Sequence, residues 1–499
     1  MGKITTRVSR VWDAMCGAYD AADSLRYRQD LGWGKRTAQS EDTALSEPKL
    51  EDIRLKATDL KRNNPVVSGV ANRIALFSVG STGILPQCRT SDKGWNRAGE
   101  QWWAEYSLKC DSRERQSLYD LQYVSVGLRP IVGGVYYQLI DNGTIRPIEC
   151  ERIRQPQDSK LSKIFTQGVQ TDPETGKIIN YCVHTRAADG TFTGKHQEKI
   201  IPAEQMLKVI APPWRIDQVR EIPDLAPIIP TLQDLHEMNL YMLNTAKWQS
   251  QQLGFLKKAG GGGLNAFERG SSITSATARK EVKTDWGTLL EGLPGDEFDL
   301  KTPATPNQTH IPYVKYQYAL CAAALNFPYE FLTLDLSGLD FSRQKGMLLL
   351  VNHACRPWKK WLVDTFLRPL WSWRIAMEMR PGGALAPAPA PQGVSEWNMV
   401  DWQCPEEPWI DRQEAQQADV LEVQAGLLTL SEASKRRGRD FEDTLRQKAK
   451  DIKLTEQIAA EEQIDSEKLV FMQIPGQVQK SAEPVKPVTP KAEDTNEEK

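Results

Sequence analysis

The most regular hydrophobic pattern in the chain lies between Thr58 and Ile84. Apolar residues recur there close to helical spacing, and Thr58 or Asp59 is suited to cap an early turn. The apolar positions are Ala71, Ile74, Ala75 and Phe77. Gly80 and Gly83 follow, and glycine is the residue at which a helix most easily ends and the chain turns. The pattern predicts one amphipathic helix, then a turn and an extended segment.

Short segments rich in β-branched and aromatic residues follow this helix. They are residues 135–140, 178–183 and 206–210. Turn-forming sequences, Asp141-Asn142-Gly143 and residues 172–176, separate several such segments. Helix first and strands afterwards, within residues 50–220, predict an α+β fold.

Helical spacing returns after Pro227. Apolar residues at three- and four-residue steps predict a helix over about 227–252. They are Ile228, Leu232, Leu235, Met238 and Met242. A second helix is predicted over about 310–326, and between the two lies the run Gly260–Gly263, which predicts a mobile loop.

A long aromatic-rich helical region is predicted over 341–379. Pro357 and Pro369 must kink or divide it, because proline removes a backbone donor and clashes with the preceding turn. Trp358, Trp361 and Trp373 fall near one stripe of this region. The stripe indicates a face packed against a core.

The C-terminal part is punctuated by short signals. Residues 380–394 are a Pro/Ala/Gly linker, and three short helices are predicted after it. Their markers are the capping-box spacing of Thr429 and Glu432, possible C-terminal caps at Gly426 and Gly438, and Asp440 at the start of the last helix. Residues from about 480 onward predict a disordered tail, and residues 1–47 a flexible arm.

Composition narrows the classes of function. The 499 residues carry 63 Lys and Arg against 65 Asp and Glu, a formal net charge of −2. Without a basic excess, tight nonspecific DNA binding is disfavoured, whereas loose contact with DNA stays open. The eight cysteines form no CxxC pair, which favours free thiols in a reducing compartment. No secretory signal and no transmembrane helix are expected, because no sufficiently long apolar run occurs.

Motifs for catalysis are incomplete wherever they begin. Gly190–His196 resembles a phosphate loop, but its glycines stand one residue too close together. His236-Glu237 starts like a zinc-protease helix, yet Leu240 occupies the position of the second ligand. Asp335 and Asp340 are interpreted as solvated loop acids. The sequence therefore predicts no catalytic residues, no metal site and no cofactor, and favours a structural or assembly role.

Several short motifs resemble those of one known family. Leu60-Lys61-Arg62-Asn63-Asn64-Pro65, followed by Val79-Gly80 and Gly83-Ile84, looks like the N-terminal signature of lambda-type tailed-phage portal proteins. Further similar stretches, which extend the resemblance over about residues 50–450, are Gln218–Pro223 with Leu225–Pro227, Trp409–Ala415, Gly426–Thr429 and Gly438–Asp440. The chain departs from the family pattern at Asp217 and Glu221, where glycine is expected, and at Arg343, where serine is expected.

The resemblance implies a portal-type subunit with a defined order of parts. These are an N-terminal arm (1–49), an α+β wing (50–226), a first stem helix (227–252), a clip (253–309), a second stem helix (310–330), a tunnel loop with a long kinked helix (331–379), a linker and connection (380–410), a helical crown (411–466) and a disordered tail (467–499). We treat these boundaries as expectations.

The resemblance also implies partners and a location. A homo-oligomeric ring of twelve subunits is expected at one capsid vertex of the virion, assembled in the bacterial host cytoplasm. The expected partners are the terminase large subunit, the major capsid and scaffold proteins, head–tail connector proteins, and double-stranded DNA bound loosely and without sequence specificity. No membrane partner is expected.

Local positive charges are the candidates for guiding DNA through such a ring. They are Lys247, Lys257, Lys258, Arg343 and Lys345. Two other classes of function stay open. One is a scaffold or adaptor of capsid assembly that never forms a ring, and the other is a DNA-processing hydrolase whose acids meet only on folding.

Overall fold

The computed structural model describes residues 40–185, 197–257, 280–284, 287–292, 310–338, 340–386, 396–405 and 412–462. Within these ranges only the backbone is described at 248–257, 280–284, 287–292, 412–415 and 435. The predicted tail, most of the predicted arm, the sequence Gly190–His196 and the run Gly260–Gly263 lie outside the described residues. The chain divides into two compact units, Met1–Gly438 and Arg439–Lys499.

The described part of the first unit begins with three helices. The sequence pattern predicted part of them as one helix and did not predict the rest. The three helices are α1 (Glu41–Ala44), α2 (Glu47–Asn63) and α3 (Pro65–Val79). Residues 40–49, predicted as the end of a flexible arm, are therefore largely helical. Leu45 and Leu50 explain this, because both are buried in the main core.

The prediction of one helix starting at Thr58 is wrong. Helix α2 ends at Asn63, and Asn64 is the N-cap of α3, where its side-chain oxygen accepts hydrogen bonds from the amides of Val66 and Val67. Pro65 takes the first helical position, which suits a residue without an amide hydrogen. The predicted end of the helix is confirmed, since Gly80 is the C-cap of α3 with φ 69°.

Two more helices lead into the first large sheet. The elements here are β1 (Leu85–Cys88), α4 (Lys93–Leu108), α5 (Leu118–Val132), β2 (Gly134–Leu139) and β3 (Ile145–Glu149). The change from α5 to β2 needs two glycines. Gly133 has φ 94° and Gly134 has φ 136°, and a Cβ on Gly134 would lie 2.3 Å from the carbonyl oxygen of Val209.

The remaining strands of the α+β part form small antiparallel sheets. They are β4 (Val169–Thr171), β5 (Ile178–His184), β6 (Glu198–Pro202) and β7 (Met206–Ile210). Strand β2 lies between β3 and β7, and β5 lies between β4 and β6. The three predicted strands and the predicted α+β fold are confirmed.

The central strand β2 separates two hydrophobic cores. Successive side chains of a strand point to opposite faces. Val135, Tyr137 and Leu139 accordingly face the main core, whereas Tyr136 belongs to a second, smaller core with Tyr181. In the main core the ring of Tyr137 stacks on Phe366 with centroids 4.4 Å apart. This strand therefore joins the helical part of the unit to its sheets.

A long helix, a small sheet and a second helix follow. They are α6 (Ile229–Gln251), β8 (Gln252–Lys257), β9 (Lys280–Thr284), β10 (Gly287–Gly292), α7 (His310–Ala324) and the short α8 (Tyr329–Thr333). Strand β10 pairs parallel to β8 and antiparallel to β9. Both predicted helices are confirmed, with ends within two or three residues of the predicted ones.

The aromatic-rich region is one helix with a π-helical segment. It consists of α9 (Phe341–Leu362), the π segment Val363–Leu367 and α10 (Arg368–Glu378). Pro357 lies inside α9, and the irregularity falls directly before Pro369, which occupies the first turn of α10. Phe366 in the π segment and Leu370 and Trp371 in α10 are fully buried.

The last described strand of the first unit follows shortly after the predicted linker. It is β11 (Val400–Gln403), which pairs antiparallel with β1. Trp402 of this strand packs against Trp103 and Trp371, with ring centroids 6.4 Å apart in each pair. The sequence did not predict this strand.

The last helices are α11 (Arg412–Gln424), α12 (Leu430–Arg436) and, in the second unit, α13 (Phe441–Glu461). The capping box is confirmed, because the Thr429 hydroxyl accepts from the Glu432 amide and the Glu432 carboxylate accepts from the Thr429 amide. Asp440 is the N-cap of α13, as predicted. With 21 residues this helix is longer than predicted.

Candidate functional site

Four buried polar side chains meet where the chain runs from the sheets into α6. We name Arg54, Tyr136, Arg220 and Glu221 the junction cluster. The Glu221 carboxylate accepts hydrogen bonds from Arg54, from the Tyr136 hydroxyl at 2.7 Å and from Arg220 at 3.0 Å. Its side chain is fully buried. One carboxylate thus connects helix α2, strand β2 and the segment before α6.

The remaining donors of the junction cluster are also satisfied. Arg220 donates to the carbonyl oxygens of Cys150, Ile153 and Gln167 at 2.7–2.9 Å. Arg54 donates to the carbonyl oxygen of Val132 at 3.0 Å. Because buried charges are tolerated when they are paired and fully hydrogen-bonded, the cluster is a complete structural element.

The electrostatics of the junction cluster favour an ionised carboxylate. Burial raises the pKa of Glu221, but the charges of Arg220 and Arg54 outweigh burial and hold that pKa at about 2. For Arg220, burial lowers the pKa and the Glu221 charge raises it, with a net rise. Burial raises the pKa of Tyr136, so its hydroxyl stays a hydrogen-bond donor. The cluster therefore keeps its charges over the physiological pH range.

A second ion pair lies three residues further along the chain. Arg129 of α5 contacts the Asp224 carboxylate at 3.1 Å, and its guanidinium lies 3.9 Å from the ring centroid of Trp358. Burial raises the pKa of Asp224, opposed by the Arg129 charge. The segment 220–224 is thus held to helices α2 and α5 shortly before α6 begins.

The outer parts of the helix pair α6 and α7 expose apolar side chains. The first half of α6 packs into the main core through Ile229, Leu232 and Leu235, all buried. Beyond them large apolar residues are exposed, namely Leu240, Tyr241 and Leu243 on α6, and Ile311, Tyr313, Tyr316 and Leu320 on α7. A helix that is apolar on more than one face is normally covered on more than one side.

The predicted DNA-guiding residues fall in two separate places. Lys247 is exposed in the outer part of α6, and Lys257 is the last residue of β8, where only the backbone is described. Lys258 lies outside the described residues. Arg343 and Lys345 are exposed in the first turns of α9. Their role stays a prediction.

Asp335 and Asp340, which lie before α9, each form a hydrogen bond within this part of the structure. Asp335 accepts a hydrogen bond from the Lys315 ammonium at 2.6 Å, and this contact, with those from Ser337, lowers the pKa of Asp335 to about 2. Asp340 caps α9 by accepting from the Arg343 amide at 2.8 Å. Each of the two acids therefore has a structural partner.

The described thiols are unsuited to nucleophilic chemistry. Six of the seven described cysteines are buried, and none of these seven forms a disulfide bond. Burial raises the pKa of Cys321 to about 11 and that of Cys110 to about 12. Within the described ranges, no three or more His, Cys, Asp or Glu side chains are grouped so as to hold a metal ion.

No helix in the described part of the chain combines the length and hydropathy that crossing a bilayer requires. This finding concerns the described helices only.

The fold and the exposed apolar surface indicate a class of protein. An α+β unit with exposed apolar helix faces is typical of a subunit that is completed by assembly with other chains. Comparison with known families then identifies it. Residues 26–359 match the family model described as phage portal protein, lambda family. Because this match covers about two thirds of the chain, the protein belongs to the lambda family of phage portal proteins.

Membership of this family gives the protein a structural role in the phage capsid. The resemblance stated from the sequence motifs is therefore confirmed. No curated protein sequence is similar enough to the chain to count as a match.

The junction cluster is the part of the site that sequence reasoning missed. One signal is present in the sequence, since Glu221 stands where the family pattern has glycine. Its partners Arg54 and Tyr136 lie 167 and 85 residues away in sequence, so spacing alone did not connect them.

Proposed function

We propose that the protein forms a ring at one capsid vertex, through which double-stranded DNA is packaged by the terminase and later ejected. Head–tail connector proteins attach to the same ring in this proposal. The observation that carries it is the match to the lambda portal family over residues 26–359. The apolar helix faces and the small sheet between the two helices support it.

In this proposal the elements take the parts of a portal subunit. Residues 50–226 form the wing, α6 and α7 are the stem helices, and the sheet β8–β10–β9 lies in the clip. The region 331–379 is the tunnel loop and long helix, and residues 411–466 form the crown. The junction cluster then sets the direction in which the stem leaves the wing.

Exposed apolar residues on the stem helices favour assembly of identical subunits. Tyr316 and Leu320 on α7, and Tyr241 on α6, are about half or more exposed in the single chain. In a closed ring, one surface of each subunit contacts a different surface of the next. The outer α7 face of one subunit covering the outer α6 face of its neighbour would remove both from water.

The charge balance suits a conduit for DNA. Twelve subunits at −2 each carry about −24, and like charge discourages the DNA phosphates from adhering. Lys247, Lys257, Lys258, Arg343 and Lys345 are the local positive groups proposed to contact the passing backbone.

Native mass spectrometry of the purified chain, with negative-stain imaging of the same sample, tests the proposal. A ring of about twelve chains with a central hole wide enough for duplex DNA is the expected result. A monodisperse monomer or dimer, unchanged at high concentration and after addition of capsid protein, would overturn it and favour a scaffold that forms no ring. Magnesium-dependent nuclease or ATPase activity would instead favour a hydrolase.

A further inference from the structure

We propose that an exposed loop of one subunit docks into an apolar groove of the next subunit. The loop is Trp214–Asp217, which we name the knob, and the groove lies between helices α2 and α5. This inference rests on the proposed ring, because it supplies one of the contacts between neighbouring subunits.

The groove is an open cavity of about 520 Å³. Its apolar lining comes from Leu55 of α2 and from Val124, Leu128 and Ile131 of α5. Leu55 is 63% exposed at this surface, although it lies on a helix whose opposite face is buried. The volume falls in the range of pockets that hold a ligand or a few side chains.

Gly127 leaves the middle of the groove unfilled. It belongs to α5 and lines the groove, and a Cβ built on it would have no heavy atom within 4 Å. Glycine inside a helix costs stability relative to alanine, so its presence here is not explained by packing within the chain. The missing side chain keeps the groove open.

The groove is polarised along α2. Lys61 and Arg62 lie at one end of it, near the end of the helix. Glu149 and Glu151 lie at the other end, beside the Glu51–Arg154 ion pair. An occupant with an apolar centre and a negative group that points to the Lys61 and Arg62 end fits this arrangement.

The knob has these properties. Trp214 is 66% exposed and Ile216 is 98% exposed, the highest value among the exposed large apolar residues of the described chain. Asp217 supplies a negative charge beside them, whereas Arg215 pairs with the buried Glu41 carboxylate of its own chain at 3.6 Å. The Gln218 amide donates to the Arg215 carbonyl at 3.2 Å, which closes the turn and places Ile216 and Asp217 at its tip.

A second copy of the chain is the occupant that these features favour. The knob does not fill the groove of its own chain, since both apolar side chains remain exposed. Knob and groove are different surfaces of one subunit, and a contact between unlike surfaces generates a ring when the rotation closes. Asp217 would approach Lys61 and Arg62, while Arg215 stays paired with Glu41 of its own chain.

Cross-linking between two variants that each carry one added cysteine tests the contact. One full-length variant is Gly127→Cys and the other is Ile216→Cys, mixed in equal amounts and treated with a short bismaleimide. The expected result is a covalent dimer at least tenfold above that of either variant alone. Each variant alone reports the background from the native thiols, most of which are buried.

A matched control replaces Ile216→Cys by Ile164→Cys, an exposed isoleucine outside knob and groove. A dimer yield equal to this control would overturn the contact. That result, with a ring still seen by native mass spectrometry, leaves the proposed function standing. Absence of the ring overturns the proposed function, and the cross-link at the same concentration still decides the contact.

A charge exchange gives a second, independent test. Asp217→Lys in the Ile216→Cys variant is expected to lower the cross-link yield several-fold, because it places a positive charge beside Lys61 and Arg62. Adding Arg62→Glu to the Gly127→Cys partner is expected to restore it. Equal yields in all combinations would show that Asp217 does not face this end of the groove, and would overturn the proposed orientation.

Discussion

The junction cluster and the outer part of the helix pair α6 and α7 differ in which side chains they bury and which they expose. At the junction cluster, charged side chains are buried, and every charge has a partner in the same chain. On the outer parts of α6 and α7, apolar side chains are exposed and have no such partner in the described chain. The first region is complete in one subunit, whereas in the proposed ring the second is covered by a neighbouring subunit. The difference separates residues that hold the fold from residues that hold the assembly.

The largest expected effect is at the carboxylate of the junction cluster. Glu221→Gln keeps the size of the side chain but leaves Arg54 and Arg220 without a counter-charge. Removing one partner of a buried ion pair costs about 3–5 kcal/mol. We expect a loss of this size in the free energy of unfolding, measured by denaturant titration. Asp335→Asn, which breaks an exposed pair with Lys315, is the control, and equal losses in both variants would contradict the comparison.

The pH dependence of stability sharpens the same comparison. The pKa of Glu221 in the folded chain, about 2, lies below its ordinary value near 4.5. Its stabilisation is therefore fully present above pH 4.5 and is lost as the pH falls towards 2. The difference in stability between the wild-type chain and Glu221→Gln should be constant above pH 5 and should shrink below pH 4.5. A difference that grows on acidification would show that the carboxylate is not held ionised.

A smaller effect on the single chain is expected at the exposed helix face. The double substitution Tyr316→Ser with Leu320→Ser should change the stability of the isolated subunit by only about 0.5 kcal/mol, since both side chains are largely exposed. Ring formation, measured by native mass spectrometry, should nevertheless be lost. Leu108→Ser, at another exposed leucine, should leave the ring unchanged. Rings of the double variant as stable as those of the wild-type chain would contradict this role.

The smallest effect is expected at the proposed DNA contacts. Arg343→Gln and Lys345→Gln, singly and together, should leave both unfolding and ring formation unchanged, because both side chains are exposed near the start of α9. DNA packaging, measured as the amount of nuclease-protected DNA in assembled heads, should fall modestly. Lys247→Gln, on helix α6, tests the third exposed candidate in the same way. Packaging at the wild-type level in all four variants would remove these residues from the channel.

Local signals allowed much of the fold to be predicted. The helix over 227–252, the strand over 206–210 and the caps at Gly80, Thr429 and Asp440 each depend on a few neighbouring residues. The division of the N-terminal helix at Asn64 also had a local signal, an asparagine before a proline, but the continuous apolar pattern on both sides obscured it. Periodicity continues across a break when both helices face the same core.

The parts that sequence did not predict depend on distant partners. Strand β11 follows a Pro/Ala/Gly-rich linker and is a strand because β1 and a cluster of tryptophans provide its partner and its core. Glu221 is ionised although it is buried, because Arg220 lies beside it and Arg54 approaches it from helix α2. Such contacts leave no periodic trace in the chain. The groove is likewise formed by two helices whose facing residues have no common spacing.

The pairing of β1 with β11, a strand much later in the chain, has a consequence for synthesis of the protein. Arg89 and Asp401, at the ends of β1 and β11, form an ion pair although they are 312 residues apart. At about 5–20 residues per second, the ribosome needs roughly 15–60 s to deliver the second strand after the first. During that interval β1 has an unpaired edge, which other nascent chains can extend. In chains that are terminated before residue 400, β1 never gains its partner strand, and we expect such chains to aggregate in the host cell.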